Sequence, residues 1–321
     1  MAEWAAIIAG LIVLTVGAEL LIRGATALAR RFGVSELLIG LTLVGFGTST
    51  PELVASVQAA LMESPGLAVG NVVGSNIANV LLILGVAALI RPIPLEPRMF
   101  RRDMAAVLLA TLLAIGISLT GEFGRVSGAM FLVALALYIA LAYATERAAP
   151  AAPETMRHEA EAAALPQGPK SPLLDIIFAA GGLALLMIGA RLLVTGAINV
   201  ATALGVSETI IGLTIVAVGT SLPELVTSAL AALRGRSRLA LGNVVGSNIY
   251  NLLGILGVTA LIHPIPAPEE IVRFDNWVML GATVVMAALT LTQRTIRRSV
   301  GGGLLVGYVA YVSWLVIEAS K

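Results

Sequence analysis

The sequence predicts an all-α polytopic membrane protein with ten transmembrane helices, built as two five-helix repeats of inverted topology. Three observations predict it. The 321-residue chain is 58% hydrophobic and 12% charged, against about 25% charged in a soluble domain. Its apolar runs each reach the roughly 20 residues a helix needs to cross a ~30 Å hydrocarbon core, and they lack the short alternating segments of a β-barrel. Finally, a shift of 172 residues lays the chain on itself: residues 40–85 and 212–257 align without a gap, with 30 identities in 46 positions.

In chain order, the first half gives spans at 4–29, 36–62, 67–90, 103–120 and 126–145. The second half gives 173–201, 208–233, 239–262, 274–293 and 299–318. The first run starts at Trp4 with no basic stretch before it, so it reads as a span and not as a removable signal peptide. It carries Glu19, and the sixth span carries Arg191 at the equivalent position. Either these two form an ion pair between the spans, or each finds its own partner. Ser35 and Ser207 stand where helix N-caps belong, with Glu36 and Glu208 in the first turn. "IRPIP" at 90–94 returns as "IHPIP" at 262–266, so the repeat is a whole half-protein. Asp103 and Asp275 open the fourth and ninth spans and read as anchors at helix N-termini. Glycines 301–303 suit close helix packing. Residues 1–145 thus form one repeat and 173–321 the other. The linker between them, 146–172, is rich in Ala, Pro and Glu and has no apolar periodicity; its "MRHEAEAAAL" has the composition of a short helix.

Charge gives the orientation. Apart from Arg23 and Arg191, which fall inside spans, 18 Lys or Arg remain, and 15 of them lie in loops 1–2, 3–4, 5–6, 7–8 and 9–10. Only Arg125, Arg273 and Lys321 lie on the other side. The positive-inside rule then places the protein in the cell membrane with both termini outside and the linker in the cytoplasm. Five spans per repeat is odd, so the second half inserts upside down. In transporters of that design the substrate site lies at the midplane, between interrupted helices of the two halves.

Two motifs interrupt the apolar pattern. "GFGTSTPEL" at 45–53 places Pro51 and Glu52 in mid-span, and "GTSLPEL" repeats them as Pro223 and Glu224. Pro51 has no N–H, which is expected to leave the Gly47 carbonyl without its helical partner. Unpaired backbone oxygens in hydrocarbon are costly, and a cation is one partner for them. Thr48, Ser49 and Glu52, with Thr220, Ser221 and Glu224, supply the hard oxygens that suit Na⁺, Ca²⁺ or Mg²⁺. A single such motif reads as a proline kink with a paired acid; two in register, with no basic residue in either, point to a site. In the third span, "GNVVGSNIAN" sets Asn71, Ser75 and Asn79 four apart, on one helix face. The eighth span repeats them as Asn243, Ser247 and Asn251, while Asn76 and Asn248 lie off that face and read as polar contacts between helices. Two carboxylates neutralise one Ca²⁺, and several Na⁺ would compete for the same oxygens. Intramembrane acids are functional by default.

At these residues the sequence resembles the cation/Ca²⁺ exchanger superfamily, in its sodium/calcium exchanger branch of prokaryotic type with two α-repeats. The paired "GTSTPE"/"GTSLPE" and "GNVVGSNIAN"/"GNVVGSNIYN" carry the resemblance, which spans nearly the whole chain. It implies ten helices, one Ca²⁺ or about three Na⁺ in a central site, and a first and sixth helix that slide against the other eight. Carried over, it implies Glu52 and Glu224 as central carboxylates, with the carbonyls of Thr48 and Thr220 beside them. Ser49, Ser75, Ser221 and Ser247, with the carbonyls of Gly45 and Ala217, would form flanking sodium sites, and Asn79 and Asn251 would line the middle. Potassium-dependent relatives carry Asp at the position of Asn251, so the resemblance implies exchange independent of K⁺. Tyr250 departs from the repeat, standing where the first half has Ala78.

The reading that follows is Na⁺/Ca²⁺ antiport, probing one site from either side in turn. A proton/calcium (or other divalent cation) exchanger of the same fold is the alternative, and a cation channel a third. No enzymatic activity, cofactor, nucleic acid or obligate protein partner is implied; the partners are the two ions and the bilayer. The absence of cysteine excludes disulfides and thiolate metal sites. His158 and His263 lie in loops without companion ligands. Glu63 and the "RGRSR" run at 234–238 read as interfacial charges.

Overall fold

The computed structural model describes residues 2–95, 97–148, 171–204 and 217–319. Seven of its helices are long and apolar enough to cross a membrane, and an eighth span is the bent pair Leu37–Thr48 and Thr50–Leu61. The expected fourth span is helical as α7 (Pro97–Ser118), but opens with the charged Arg98, Arg101, Arg102 and Asp103. The expected seventh is described only from Ala217. Large apolar side chains cover the outside, among them Val306, Val309 and Ile317 of the last helix, α15 (Arg298–Ala319). Lipid, being as apolar as these side chains, leaves no drive to bury them.

The first helix, α1 (Ala2–Phe32), lies against α9 (Pro172–Ala203) along a seam of glycines. A Cβ on Gly10 would fall 2.9 Å from the Gly189 carbonyl oxygen, and one on Gly17 2.9 Å from that of Gly182. The pairing runs antiparallel, and in the repeat Gly10 corresponds to Gly182 and Gly17 to Gly189. The two equivalent helices therefore face each other head to tail. Small residues permit this backbone approach, from which dispersion in a bilayer gains most.

The central helix, α12 (Ser237–Ile249), is buried on all sides except at Arg238. It abuts the second span, which opens as α2 (Glu36–Ile39) and the π-helical turn π1 (Gly40–Val44). A Cβ on Gly246 would fall 2.2 Å from the Leu41 carbonyl oxygen, so only glycine fits. Of Gly301, Gly302 and Gly303, Gly301 alone meets such a contact, with the Gly85 carbonyl oxygen. The core proper is built by α5 (Pro65–Ala78), α6 (Leu84–Ile90), α7, α8 (Arg125–Ala148) and their counterparts α12, α13 (Leu256–Ile262), α14 (Asn276–Thr292) and α15, with Phe100, Met104, Phe123 and Phe131 at its centre.

Two short ladders qualify the all-helical expectation. β1 (Ile93–Pro94) pairs with β4 (Thr295–Ile296), and β2 (Glu122–Phe123) with β3 (Ile265–Pro266). The "PIP" loops are extended because proline disfavours helix in the residue before it. β1 precedes α7 and β2 follows it, so the two ladders lie at opposite ends of that helix. β1 and β3, the same Ile-Pro in the sequence repeat, thus lie at opposite ends too.

The linker reading falls almost wholly outside the described residues: α8 runs to Ala148, α9 starts at Pro172, and "MRHEAEAAAL" lies between them. Ser35 caps as expected, accepting the Leu38 N–H at 3.1 Å, while Ser207 is outside the described residues. Asp275 does not cap α14 with its side chain; it accepts the Tyr311 hydroxyl at 2.8 Å. Asp103 sits inside α7, not at its start, and is held by Arg102 at 2.7 Å and the Tyr138 hydroxyl at 3.1 Å. A buried carboxylate gains more from two donors than from a helix end.

Candidate ion-binding site

Each PE motif breaks its helix at the serine. Ser49 (φ −85°, ψ 11°) separates α3 (Gly45–Thr48) from α4 (Thr50–Leu61), a 43° bend. Ser221 (φ −88°, ψ 9°) separates α10 (Ala217–Thr220) from α11 (Leu222–Leu233). Pro51 and Pro223 stand in the first turn of α4 and α11, where a missing N–H costs nothing. The Gly47 carbonyl is not left free as expected: a backbone N–H at the cap reaches it. What the break does is to start a new helix in mid-protein. Glu52 and Glu224 fall in its first turn, where the N-terminal dipole favours negative charge without any basic side chain.

Both carboxyl groups are 1% exposed. Ser49 Oγ donates to Glu224 Oε1 at 2.8 Å, and Ser221 Oγ faces Glu52 Oε1 at 3.3 Å. Each acid is thus held by the serine of the other half. Ser221 Oγ also lies 3.4 Å from Ser75 Oγ, which brings α5 into the same cluster. Ser247 Oγ donates to the Gly45 carbonyl at 3.2 Å, and Thr48 Oγ1 lies 3.2 Å from Asn243 Oδ1. Asn79 Nδ2 donates to Asn248 Oδ1 at 2.9 Å, so Asn248 is the contact between helices that its off-face position suggested.

Five buried oxygens and nitrogens of this set have no hydrogen-bond partner among the described residues: Glu52 Oε2, Glu224 Oε2, Asn79 Oδ1, and both Oδ1 and Nδ2 of Asn251. Buried polar atoms in folded proteins are nearly always paired, and of those left unpaired here both acids and both central asparagines are members. Two leftover carboxylate oxygens and two leftover amide oxygens are of the kind a hard cation takes as ligands. No group of three or more His, Cys, Asp or Glu occurs among the described residues. A cation here must therefore complete its shell with hydroxyl, amide and carbonyl oxygens. Thr220 is half-buried beside Ser221, and Ala217 opens α10.

Asn71 and Asn243, expected on the polar face of their spans, act as supports whose partners the sequence does not state. Asn71 Nδ2 donates to the Glu52 carbonyl at 3.1 Å and to Ser56 Oγ at 2.9 Å. Asn243 Nδ2 does the same to the Glu224 carbonyl at 3.3 Å and to Ser228 Oγ at 2.8 Å. These asparagines tie each broken helix to the next span. A signal for those partners was present: Ser56 and Ser228 stand four residues after the two glutamates and recur in the repeat. The sequence reading missed the π-helical turns π2 (Asn79–Ile83) and π3 (Tyr250–Ile255), which begin at or beside the central asparagines. Such turns mark functional sites. The Tyr250 ring stacks on Phe46 with centroids 4.5 Å apart, in space left by Gly254. Glu19 and Arg191 do not pair: Glu19 binds Arg23 at 2.7 Å and Arg234 at 2.9 Å.

Comparison with known proteins agrees with this architecture. The family described as sodium/calcium exchanger protein matches residues 2–144 and 174–317. The sodium/calcium exchanger MaX1 of Methanosarcina acetivorans is 34% identical over 94% of this chain and 95% of its own. The inner membrane protein YrbG of Escherichia coli is 35% identical over 98% of this chain and 95% of its own. A solved structure of the sodium-calcium exchanger NCX_Mj superposes with a TM-score of 0.83 at 30% identity, covering 98% of both chains.

Proposed function

The chain belongs to the sodium/calcium exchanger family and is a multi-pass membrane protein, and from that premise we propose that it exchanges Na⁺ for Ca²⁺ across the cell membrane. One site at the pseudo-dyad, shared by both halves, would take one Ca²⁺ or about three Na⁺ and be reached from each side in turn. The observation that carries this is the pair of buried carboxylates, each bonded by the other half's serine and each with one oxygen unpartnered. Ca²⁺ balances both charges. Na⁺ at the same oxygens and at the flanking serines displaces it, and a shared ligand set makes the two ions exclude each other.

Ten spans in two inverted repeats, with both termini outside and residues 146–172 cytoplasmic, is the topology that goes with this reading. The antiparallel α1–α9 seam and the opposite-end placement of β1 and β3 support it. With Asn at 251, the acids at the site among the described residues are the two glutamates, which supports independence from K⁺.

The test is radiolabelled Ca²⁺ uptake into liposomes loaded with Na⁺ and diluted into Na⁺-free buffer. Uptake that requires internal Na⁺, ignores K⁺ and vanishes in Glu52→Gln and in Glu224→Gln is the expected result. Uptake driven by a pH gradient without Na⁺ would replace Na⁺ by H⁺ as the coupling ion.

A further inference from the structure

α1 and α9 are equivalent in the repeat, yet their surroundings differ. α1 packs along α11, and there Glu19, half-buried, bonds Arg234 at 2.9 Å at the C-terminal cap of α11. Thr15, Val16, Leu20 and Leu230 line a recess around this pair. The equivalent helices, α9 and α4, make no comparable contact among the described residues. Where α1 has Glu19, α9 has Arg191, which has no ionic partner among the described residues. Where α11 ends in Arg234, α4 ends in Met62, followed by Glu63, which has no ionic partner among them either. Glu63 and Gly235 both adopt positive φ, 55° and 75°, so the two helices end in the same way.

An unpaired arginine in a membrane-spanning helix is costly, and such residues pair when a partner is in reach. Two halves of one design, inserted in opposite senses, reach the second access state by exchanging roles. In that exchange α9 takes against α4 the place that α1 holds against α11. Arg191 then arrives at the end of α4, where Glu63, which has no ionic partner among the described residues, carries the opposite charge. We infer that Glu19–Arg234 and Arg191–Glu63 are two latches closed in turn, one for each access state of the antiport cycle. The inference rests on the proposed antiport and deepens it: it names the contacts that each state makes and the other breaks. The polarity of the second latch is reversed, acid on the core and base on the moving helix. The two latches are therefore separate contacts and not one pair carried along.

The chain has no cysteine of its own, so introduced pairs report alone. Glu19→Cys with Arg234→Cys and Arg191→Cys with Met62→Cys (the strict counterpart of the first pair) are placed in the full-length chain, reconstituted in liposomes and treated with a short thiol crosslinker during turnover. Each pair is expected to crosslink, each crosslink to stop exchange, and reductant to restore it. Charge variants test the electrostatic part. Arg191→Glu is expected to shift the ratio of apparent Ca²⁺ affinities on the two sides by about two- to fivefold, the range of a partly exposed ion pair. Adding Glu63→Arg is expected to restore the ratio. Failure of the Arg191/Met62 pair to crosslink while the Glu19/Arg234 pair does so fully would overturn the second latch. Crosslinking of both with exchange intact would overturn both. Loss of the Na⁺ requirement in the wild-type chain would overturn the proposed coupling ion instead, and the crosslinks would still report the movement.

Discussion

The two serines beside the glutamates do different work although the sequence makes them equal. Ser49 reaches Glu224 at 2.8 Å, whereas Ser221 divides its contacts between Glu52 at 3.3 Å and Ser75 at 3.4 Å. A hydrogen bond to a charged group contributes about 1.5–3 kcal/mol. Ser49→Ala is therefore expected to raise the half-saturating Ca²⁺ concentration about tenfold or more, and Ser221→Ala less. Ca²⁺ titration of Na⁺-loaded liposomes containing each variant measures the difference, and equal effects would show that the shorter bond carries no extra weight. The residues themselves were legible, because a buried acid repeated in register has few bland explanations. The crossing of partners was not. Nothing in "GTSTPE" states that Ser49 serves the glutamate of the other motif, since that depends on how α3 and α10 face each other. Nor was the partner of Glu19 legible. Arg234 lies 215 positions away, outside any equivalence the repeat provides.

At the scale of the helices, glycine sets which elements touch. Both halves carry a GxxxG pattern, Gly70–Gly74 and Gly242–Gly246, and the structure uses the second: a Cβ on Gly242 or Gly246 would fall 2.7 or 2.2 Å from the Leu37 or Leu41 carbonyl oxygen. Gly246→Ala drives a methyl group into backbone that has no rotamer to yield. Overpacking costs about 1–3 kcal/mol, and a clash with backbone lies at the upper end. Gly116→Ala is the control: its Cβ meets nothing within 4 Å among the described residues, and α7 gains helix propensity. In detergent, the melting temperature of Gly246→Ala should fall by several degrees while that of Gly116→Ala is unchanged or higher. Hydropathy located seven of the spans, and the bent pair as an eighth, because lipid demands apolar length. It missed π1, π2 and π3, because one extra residue in a turn changes no side-chain pattern.

At the scale of the whole molecule the candidate site is closed by both halves, and this has a consequence for assembly. Glu52 is bonded by Ser221, Glu224 by Ser49, the Gly45 carbonyl by Ser247, and Asn79 by Asn248. Every one of these bonds crosses from residues 1–148 to residues 171–319. A single half would bury one carboxylate with neither the second acid nor a hydroxyl donor, and an unpaired acid in hydrocarbon is costly. The same division gives each half a glycine face with no helix against it, since Gly10 and Gly17 of α1 need Gly182 and Gly189 of α9. The interface is thus both the candidate site and a large part of the packing, and every contact named here joins described residues on either side of 149–170. Two chains, 1–148 and 171–321, expressed together are expected to copurify and to perform Na⁺-dependent Ca²⁺ exchange at a rate close to that of the intact chain. Each alone is expected to take up no Ca²⁺. Introducing Gly17→Leu into the first chain should abolish copurification, because its side chain would enter the Leu186 backbone, 2.8 Å from the position of the Cβ. Copurification without exchange would place a required group between residues 149 and 170. Exchange by one half alone would mean that two copies of the same repeat can close the site, and that the differences between the halves, Tyr250 for Ala78 and Arg191 for Glu19, tune the cycle without being needed for it.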